Sequence, residues 1–182
     1  MGRLQQRQRE DHAANSVSLL ISILVRYPQI VTVNFDPKHK ALKFTFMISE
    51  QISDERYARF KTKLEENIET YAALIQCGRP DIELHMVRFE GFTSLEVKRD
   101  VQTLTQEEIS LIIELVVAEF GDQLITERGE DSLLDEEMSM QDEIIENMLE
   151  DLRESFQERD LIGFREEGRV LVFNKGAENR KS

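Results

Sequence analysis

Residues 105–121 read TQEEISLIIELVVAEFG, and this stretch decides the predicted fold. Thr105 followed by Glu108 is typical of a capping box at a helix start, and Gly121 is the residue type expected just past a helix end. The apolar residues between them leave only a thin polar stripe, at Glu107, Ser110, Glu114 and Glu119. A helix that is apolar around most of its circumference is buried on several sides. We therefore predict a central helix, packed by a sheet on one side and by other helices on another.

Two segments of similar pattern precede this helix. Each begins with an apolar stripe at helical spacing and continues into a hairpin of two alternating strands. The first segment covers residues 11–49 and the second covers residues 53–101. The strand at residues 41–49 alternates clearly enough to predict a sheet with one buried face. The order αββαββ predicts an α+β fold, an antiparallel sheet built from β-hairpins with helices packed on one side of it.

The chain after the central helix is polar and acidic. Residues 122–138 are predicted to form a long loop. Ser139 is predicted to start an acidic amphipathic helix that runs to about Arg159. Residues 161–173 then alternate around a turn and are predicted to form a third hairpin.

Charge divides the chain near the start of the central helix. Residues 1–104, the αββαββ domain, hold 15 basic and 14 acidic residues, whereas residues 105–182, the helix-loop-helix-hairpin segment, hold 8 and 22. The formal net charge of the whole chain is −13. Such a field repels nucleic acid and anionic membranes from the second segment and attracts basic surfaces. The two segments are predicted to be separate domains or one continuous domain.

Two features bear on the cellular compartment. Cys77 has no second cysteine to pair with, so an oxidising compartment is not implied. Arginines precede the apolar run at residues 17–25, as in a secretory signal, but no small-residue cleavage site follows. The run is also far shorter than the roughly 20 residues that span a bilayer. We therefore predict a cytoplasmic protein with no membrane partner.

No cofactor or metal site is predicted. The glycines are scattered, and no phosphate-binding loop precedes a helix. The three histidines, at positions 12, 39 and 85, have no cysteine or second histidine at metal-ligand spacing. Cys77 follows a predicted helix, whose C-terminal dipole disfavours a thiolate. A carboxylate-based or metal-dependent enzyme stays an alternative, because the 122–138 loop carries Glu130, Asp131, Asp135, Glu136 and Glu137.

Association with RNA or the ribosome is a second alternative. Phosphate attraction supplies most of the affinity in such complexes, so the acidic helix would be repelled. Basic positions occur instead within residues 38–99, but they are not interleaved with aromatic residues as in single-strand binding platforms. These positions are Lys38, His39, Lys40, Lys61, Lys63, Lys98 and Arg99.

The leading hypothesis is a non-catalytic adaptor or regulatory protein. The acidic helix has a narrow apolar seam, typical of a helix that lies in a groove, pairs with a copy of itself or packs on its own domain. In each case the outer acidic face is available to a basic protein surface. A homodimer is left open. The residues predicted to bind the partner are Asp142, Glu143, Glu146, Glu150, Glu154 and Glu158.

Overall fold

The computed structural model describes residues 2–126, 133–155 and 159–175, except for the side chains of residues 9–14. The helices in these ranges are α1 (Gly2–Arg26), α2 (Asp54–Ile75), α3 (Gln106–Phe120) and α4 (Asp135–Glu154). The strands are β1 (Thr32–Asp36), β2 (Ala41–Ile48), β3 (Ile82–Phe89), β4 (Phe92–Asp100), β5 (Leu161–Glu166) and β6 (Arg169–Asn174). The predicted α+β class, with an antiparallel sheet built from hairpins, is confirmed.

Three αββ units build the sheet. They are α1 with β1 and β2, α2 with β3 and β4, and α4 with β5 and β6, and α3 lies between the second and third units in sequence. The strand order is β3-β4-β2-β1-β5-β6, and every neighbouring pair is antiparallel. The third hairpin therefore extends the sheet of the first two, because β5 pairs with β1.

The strand register brings the apolar residues onto one face of the sheet. Leu84, Val97, Phe44, Val33 and Gly163 lie opposite one another in successive strands from β3 to β5. The four side chains in this row are buried. The helices α1, α2 and α3 lie on this same face and pack with the strands into one core. We call the opposite face of the sheet the open face, because no described helix packs on it.

α1 is anchored on this sheet by a close approach to β5. A Cβ atom at Gly163 would lie 3.0 Å from Leu24 Cδ1 and 3.4 Å from Leu20 Cβ, so the glycine lets the helix sit close to the strand. Within the apolar run at residues 17–25, Leu19, Leu20, Ile23 and Leu24 are thus part of the core. In the parts of the chain that the structure describes, no helix is both long and apolar enough to cross a bilayer.

α3 is the buried central helix that residues 105–121 predicted. Ile109, Ile112, Val116 and Phe120 are each at most 1% exposed. The ring of Phe120 meets that of Phe60 on α2 edge to face, with centroids 5.0 Å apart. α4 packs on another side of α3. Because the sheet, α2 and α4 cover this helix on several sides, its polar residues are confined to a narrow stripe.

The ends of α3 differ from the prediction in two respects. The Thr105 hydroxyl accepts the N–H of Glu108 at 3.2 Å, but the Glu108 carboxylate bonds to Arg99 and completes no capping box. The predicted left-handed ending at Gly121 is wrong, since φ there is −42°. A Cβ at Gly121 would lie 2.7 Å from the carbonyl oxygen of Val117, so this position needs glycine because of a close backbone approach.

α4 begins earlier than predicted, at Asp135 rather than Ser139, and ends at Glu154 rather than near Arg159. Its start is closed by Glu137, whose carboxylate accepts the backbone N–H of Leu134 at 2.9 Å. Three acidic residues in the first turn are also favoured by the positive end of the helix dipole. Part of the predicted 122–138 loop is therefore helical.

Candidate protein-interaction surface

The apolar seam of α4 lies in the protein's own core. Ile145, Leu149 and Leu152 are at most 4% exposed and pack with α1 and α3. Of the three arrangements that the sequence left open for this seam, the structure shows packing on the same chain. The seam itself is therefore not available to a partner, and only the polar faces of α4 remain to be considered.

Two of the acids predicted to bind a partner already have partners within the chain. Asp142 accepts a hydrogen bond from Arg26 Nε of α1 at 2.8 Å. Glu146 Oε2 accepts the backbone N–H of Gln106, at the start of α3, at 2.8 Å. A carboxylate is favoured there because the helix N-terminus carries unpaired N–H groups and a partial positive charge. These carboxylates hold α4 against α1 and α3.

Four of the other acids of α4 form a line on its outer side, which we call the acidic stripe: Glu136, Glu143, Glu150 and Glu154, with Met140 and Asn147 between them. Spacings that alternate between four and three residues place all six positions on one helix face. All six side chains are exposed. None of the four carboxylates forms an ion pair within the described ranges. At 1.5 Å per residue the stripe is about 27 Å long.

Some predicted site residues cannot be placed. Glu158 lies outside the described residues, as do Glu130 and Asp131 of the predicted acidic loop. The other three acids of that loop, Asp135, Glu136 and Glu137, form the first turn of α4. Among the residues that the structure describes, no group of three or more His, Cys, Asp or Glu side chains is placed to hold a metal ion.

The basic positions of the RNA hypothesis are spread among carboxylates. His39 Nδ1 lies 2.6 Å from Asp36 Oδ2, and Lys61 lies 4.0 Å from Glu65 on the same helix. Lys98 projects from β4 onto the open face. In this row across the sheet Lys98 lies between Glu83 of β3 and Lys43 of β2, and Lys43 itself lies 3.6 Å from Glu96. Lys43 and Lys98 are therefore neighbours, but Glu83 and Glu96 lie beside them, so these residues do not form a continuous basic surface.

Arg99 was predicted to be a surface position, and this is wrong. Its guanidinium is fully buried and bonds to both carboxylate oxygens of Glu108, at 2.6 and 2.7 Å. It also donates to the carbonyl of Asp81 at 2.9 Å and to the Thr103 hydroxyl at 3.0 Å. The sequence contained a signal for this placement, because Arg99 continues the inward-facing alternation of β4 after Leu95 and Val97.

The acids of this network have shifted pKa values. Burial raises the pKa of Glu108, and the hydrogen bonds and charge of Arg99 act against that rise. Burial also acts to raise the pKa of Asp100, but the Asp81 amide, the Thr103 hydroxyl and the Arg99 guanidinium outweigh it, so the pKa is lowered. The Arg99, Glu108, Asp100 and Thr103 side chains all have partners within this network, so the network is a structural link between β4 and α3.

A recess of about 420 Å³ lies beside β3, between the strand and α2. Charged side chains from α2, β2, β3 and β4 line it, including Lys61, Glu65, His85 and Glu96. Cys77 lies elsewhere, at the end of α2, where its thiol approaches the Thr103 carbonyl at 3.7 Å. A nucleophile with an adjacent base is the usual sign of covalent catalysis, and the recess lining includes no Ser, Thr or Cys.

No protein-family model, curated protein or solved structure matches the chain. Its function therefore has to be inferred from its own residues. The fold and the surfaces described above define an α+β protein in which the Arg99 network is structural. On α4, Asp142 and Glu146 are bonded within the chain, whereas the four carboxylates of the acidic stripe form no ion pair within the described ranges.

Proposed function

We propose that the protein is a non-catalytic adaptor or regulatory protein that binds a basic protein segment along the acidic stripe of α4. The division of the acids on this helix supports the proposal. The inner carboxylates stabilise the fold, whereas the outer ones repel one another, since Glu150 and Glu154 are like charges four residues apart. A basic partner would relieve that repulsion.

The shape of the stripe suggests what the partner is like. A length of about 27 Å suits a helix of about 18 residues or an extended segment of about eight. Lysine or arginine residues at matching spacing would meet Glu143, Glu150 and Glu154. Met140 is 62% exposed and adds a flexible apolar contact near one end of the stripe. Because exposed charges are screened by ions, binding should weaken steeply as salt rises.

The two alternatives have less support. For RNA, Glu83 and Glu96 lie beside the basic residues Lys43 and Lys98 of the open face, and Arg99 is buried. For an enzyme, the lining of the recess beside β3 contains no Ser, Thr or Cys that could act as a nucleophile. We place the adaptor in the cytoplasm, where basic surfaces of nucleic-acid-handling proteins are available partners.

Affinity capture with a matched control would test the proposal. The chain is immobilised, exposed to lysate with and without nuclease treatment, and eluted with rising salt. One variant carries Glu143→Lys, Glu150→Lys and Glu154→Lys. The control carries the same charge change elsewhere, through Glu66→Lys, Glu69→Lys and Glu90→Lys, three exposed positions on α2 and the β3–β4 turn.

We expect wild type and control to retain the same basic protein, released at moderate salt, and the stripe variant to lose it. Equal capture by the stripe variant would refute the proposal. Material that disappears on nuclease treatment would favour RNA association instead. A synthetic lysine-rich helical peptide provides a second probe that does not depend on the lysate, and the same order of binding is expected.

A further inference from the structure

The two edges of the sheet are treated differently by the rest of the chain. At the β3 edge, the Tyr57 hydroxyl donates to the Leu84 carbonyl at 2.9 Å, and Gln51 donates to the Phe89 carbonyl at 2.8 Å. Arg88 reaches from the same strand to the Ile52 carbonyl at 2.6 Å. Proteins commonly block edge strands in such ways, because free backbone groups there would pair with another strand. The β3 edge is blocked.

Among the described residues, no side chain bonds to the backbone of Val170 or Val172 at the β6 edge in this way. The Lys175 amide donates to the Asp160 carbonyl at 2.7 Å, so these two residues form a hydrogen-bonded pair. Hydrogen-bonded and non-hydrogen-bonded pairs alternate along two antiparallel strands, so this bond fixes the type of every pair between β5 and β6. Leu171 therefore bonds to β5, whereas Val170 and Val172 turn their N–H and C=O groups away from it. Within the described ranges nothing bonds to those outward groups. The strand also contains no proline or lysine that would discourage pairing.

An exposed apolar flank of α1 lies beside this edge. One side of α1 faces β5 through Leu20 and Leu24, and another faces α4 through Arg26. At 100° per residue, Ile21 and Val25 lie on neither of these sides, nor on the inner side that faces α3. They are 37% and 39% exposed.

The position of this flank follows from the sheet order. α1 contacts β1, β5 and β6, and β6 is the last strand of the sheet. The side of α1 that faces away from the core therefore overhangs the free edge of β6. Unpaired backbone groups and exposed apolar side chains occur together there, and an added strand with its own helix would cover both.

We propose that β6 pairs antiparallel with β6 of a second copy of the chain, around a two-fold axis perpendicular to the sheet. The two sheets then become one continuous sheet with all helices on the same face. The two α1 helices lie side by side across the axis, and Ile21 and Val25 face the same residues of the second copy. A surface that meets itself in this way is the usual basis of a symmetric dimer.

The side chains of β6 select one register. With Leu171 opposite Leu171 of the second copy, the outward backbone groups of Val170 bond to those of Val172 in the second copy, and the reverse pair forms by symmetry. Arg169 then lies opposite Phe173 of the second copy, on the open face. A guanidinium over an aromatic ring is attracted to it, and Phe173 is 55% exposed without this contact.

Charges at the ends of β6 favour the same register. Glu167, in the turn before β6, comes opposite Lys175 of the second copy. By symmetry this pair of opposite charges occurs at both ends of the two paired strands. A shift that places Val172 opposite itself would instead bring Arg169 opposite Lys175, two like charges. This self-complementarity identifies a second copy, rather than an unrelated extended segment, as the occupant of the edge.

The dimer goes beyond the proposed function and does not depend on it. The acidic stripe lies on α4, which contacts a side of α1 other than the flank with Ile21 and Val25. Each dimer would therefore present two stripes. A basic partner with two binding segments, or two copies of a partner on one scaffold, would then be held more tightly than by a single chain.

Sedimentation equilibrium of the full chain tests the proposal. We expect a dimer for wild type, and a shift to monomer for both Ile21→Glu and Val172→Pro. The proline removes an N–H that points away from β5, so the intrachain ladder is kept. The matched control is Val117→Glu on α3, where the valine is 39% exposed, and it should remain dimeric.

Far-UV circular dichroism identifies any variant that fails to fold; if Val172→Pro does, Ile21→Glu decides the question alone. A second measurement uses charge exchange. Glu167→Lys and Lys175→Glu should each weaken the homodimer, and mixing the two variants should restore association. Monomeric wild type up to high concentration, or a dimer that Ile21→Glu and Val172→Pro both leave unchanged, would overturn the proposal.

Discussion

The Arg99 guanidinium lies opposite the Glu108 carboxylate with two parallel hydrogen bonds, and both side chains are fully buried. The pair joins the end of β4 to the first turn of α3. The link also includes Asp100, Thr103 and Asp81, so the short connection between strand and helix is held at several points. Such a network is strong only while every member keeps its partner.

Removing one charge of the pair should therefore be costly. Glu108→Gln removes the fully buried carboxylate of the pair and leaves the buried Arg99 charge with the partly exposed Asp100 as its remaining counter-charge among the described residues. We expect a loss of about 3–5 kcal/mol in the free energy of unfolding. Urea titration followed by circular dichroism measures it. The neighbouring exposed Glu107→Gln is the control and should change stability by less than about 0.5 kcal/mol. Similar losses for both variants would contradict a special role for the pair.

The lowered pKa of Asp100 should make the free energy of unfolding depend on pH. Its pKa is lowered in the folded chain, so ionised Asp100 stabilises the fold. That contribution is present above the unfolded value of about 3.9 and is lost as the pH falls below it toward the folded pKa. We expect Asp100→Asn to lower the thermal midpoint at pH 7 and to matter much less at low pH. Midpoints of wild type and variant measured from pH 2 to pH 7 test this, and a constant difference would contradict it.

Glu143 and Glu146 of α4 are only three residues apart, but their substitution should affect stability and partner binding differently. Glu146 caps the Gln106 amide, so Glu146→Gln should cost about 1 kcal/mol of stability. Glu143 belongs to the acidic stripe, and Glu143→Gln should leave stability unchanged within about 0.5 kcal/mol. In the capture assay the order of the two effects should reverse, so that Glu143→Gln reduces partner binding more than Glu146→Gln does. Chemical denaturation of both variants beside the binding measurement separates the two roles.

Gly121 should not accept a side chain. A Cβ there would come within 2.7 Å of the Val117 carbonyl oxygen, so the backbone must move. We expect Gly121→Ala to destabilise the chain by about 1–3 kcal/mol. Gly2→Ala is a suitable control, because nothing lies within 4 Å of its Cβ position. A stabilising Gly121→Ala would show that the end of α3 adjusts more readily than this geometry implies.

Local patterns predicted much of the fold. The buried central helix, the two early hairpins, the third hairpin and the α+β class were all readable, because helices and strands repeat their apolar residues with different periods. Helix limits were less reliable. α4 begins before Ser139 because Glu137 caps the Leu134 amide. This interaction is local, but the apolar spacing from which the start of the helix was predicted does not indicate it.

The candidate site was predicted only in outline. Sequence spacing showed an acidic face on α4 but not which acids were free. Asp142 and Glu146 find their partners, Arg26 and the Gln106 amide, more than 35 residues away in the chain. The Arg99–Glu108 pair depends in the same way on how β4 meets α3, although the alternation of β4 pointed Arg99 inward.

The sequence by itself determined the elements of this protein and the uneven distribution of its charge, because those depend on residues that are close in the chain. Only the tertiary structure decided that β5 pairs with β1, so that the third hairpin extends the sheet and β6 becomes its free edge. It also decided which carboxylates of α4 are bonded and which form the acidic stripe. Both depend on packing between distant segments, where burial and pairing energies outweigh the local preferences that a sequence pattern records.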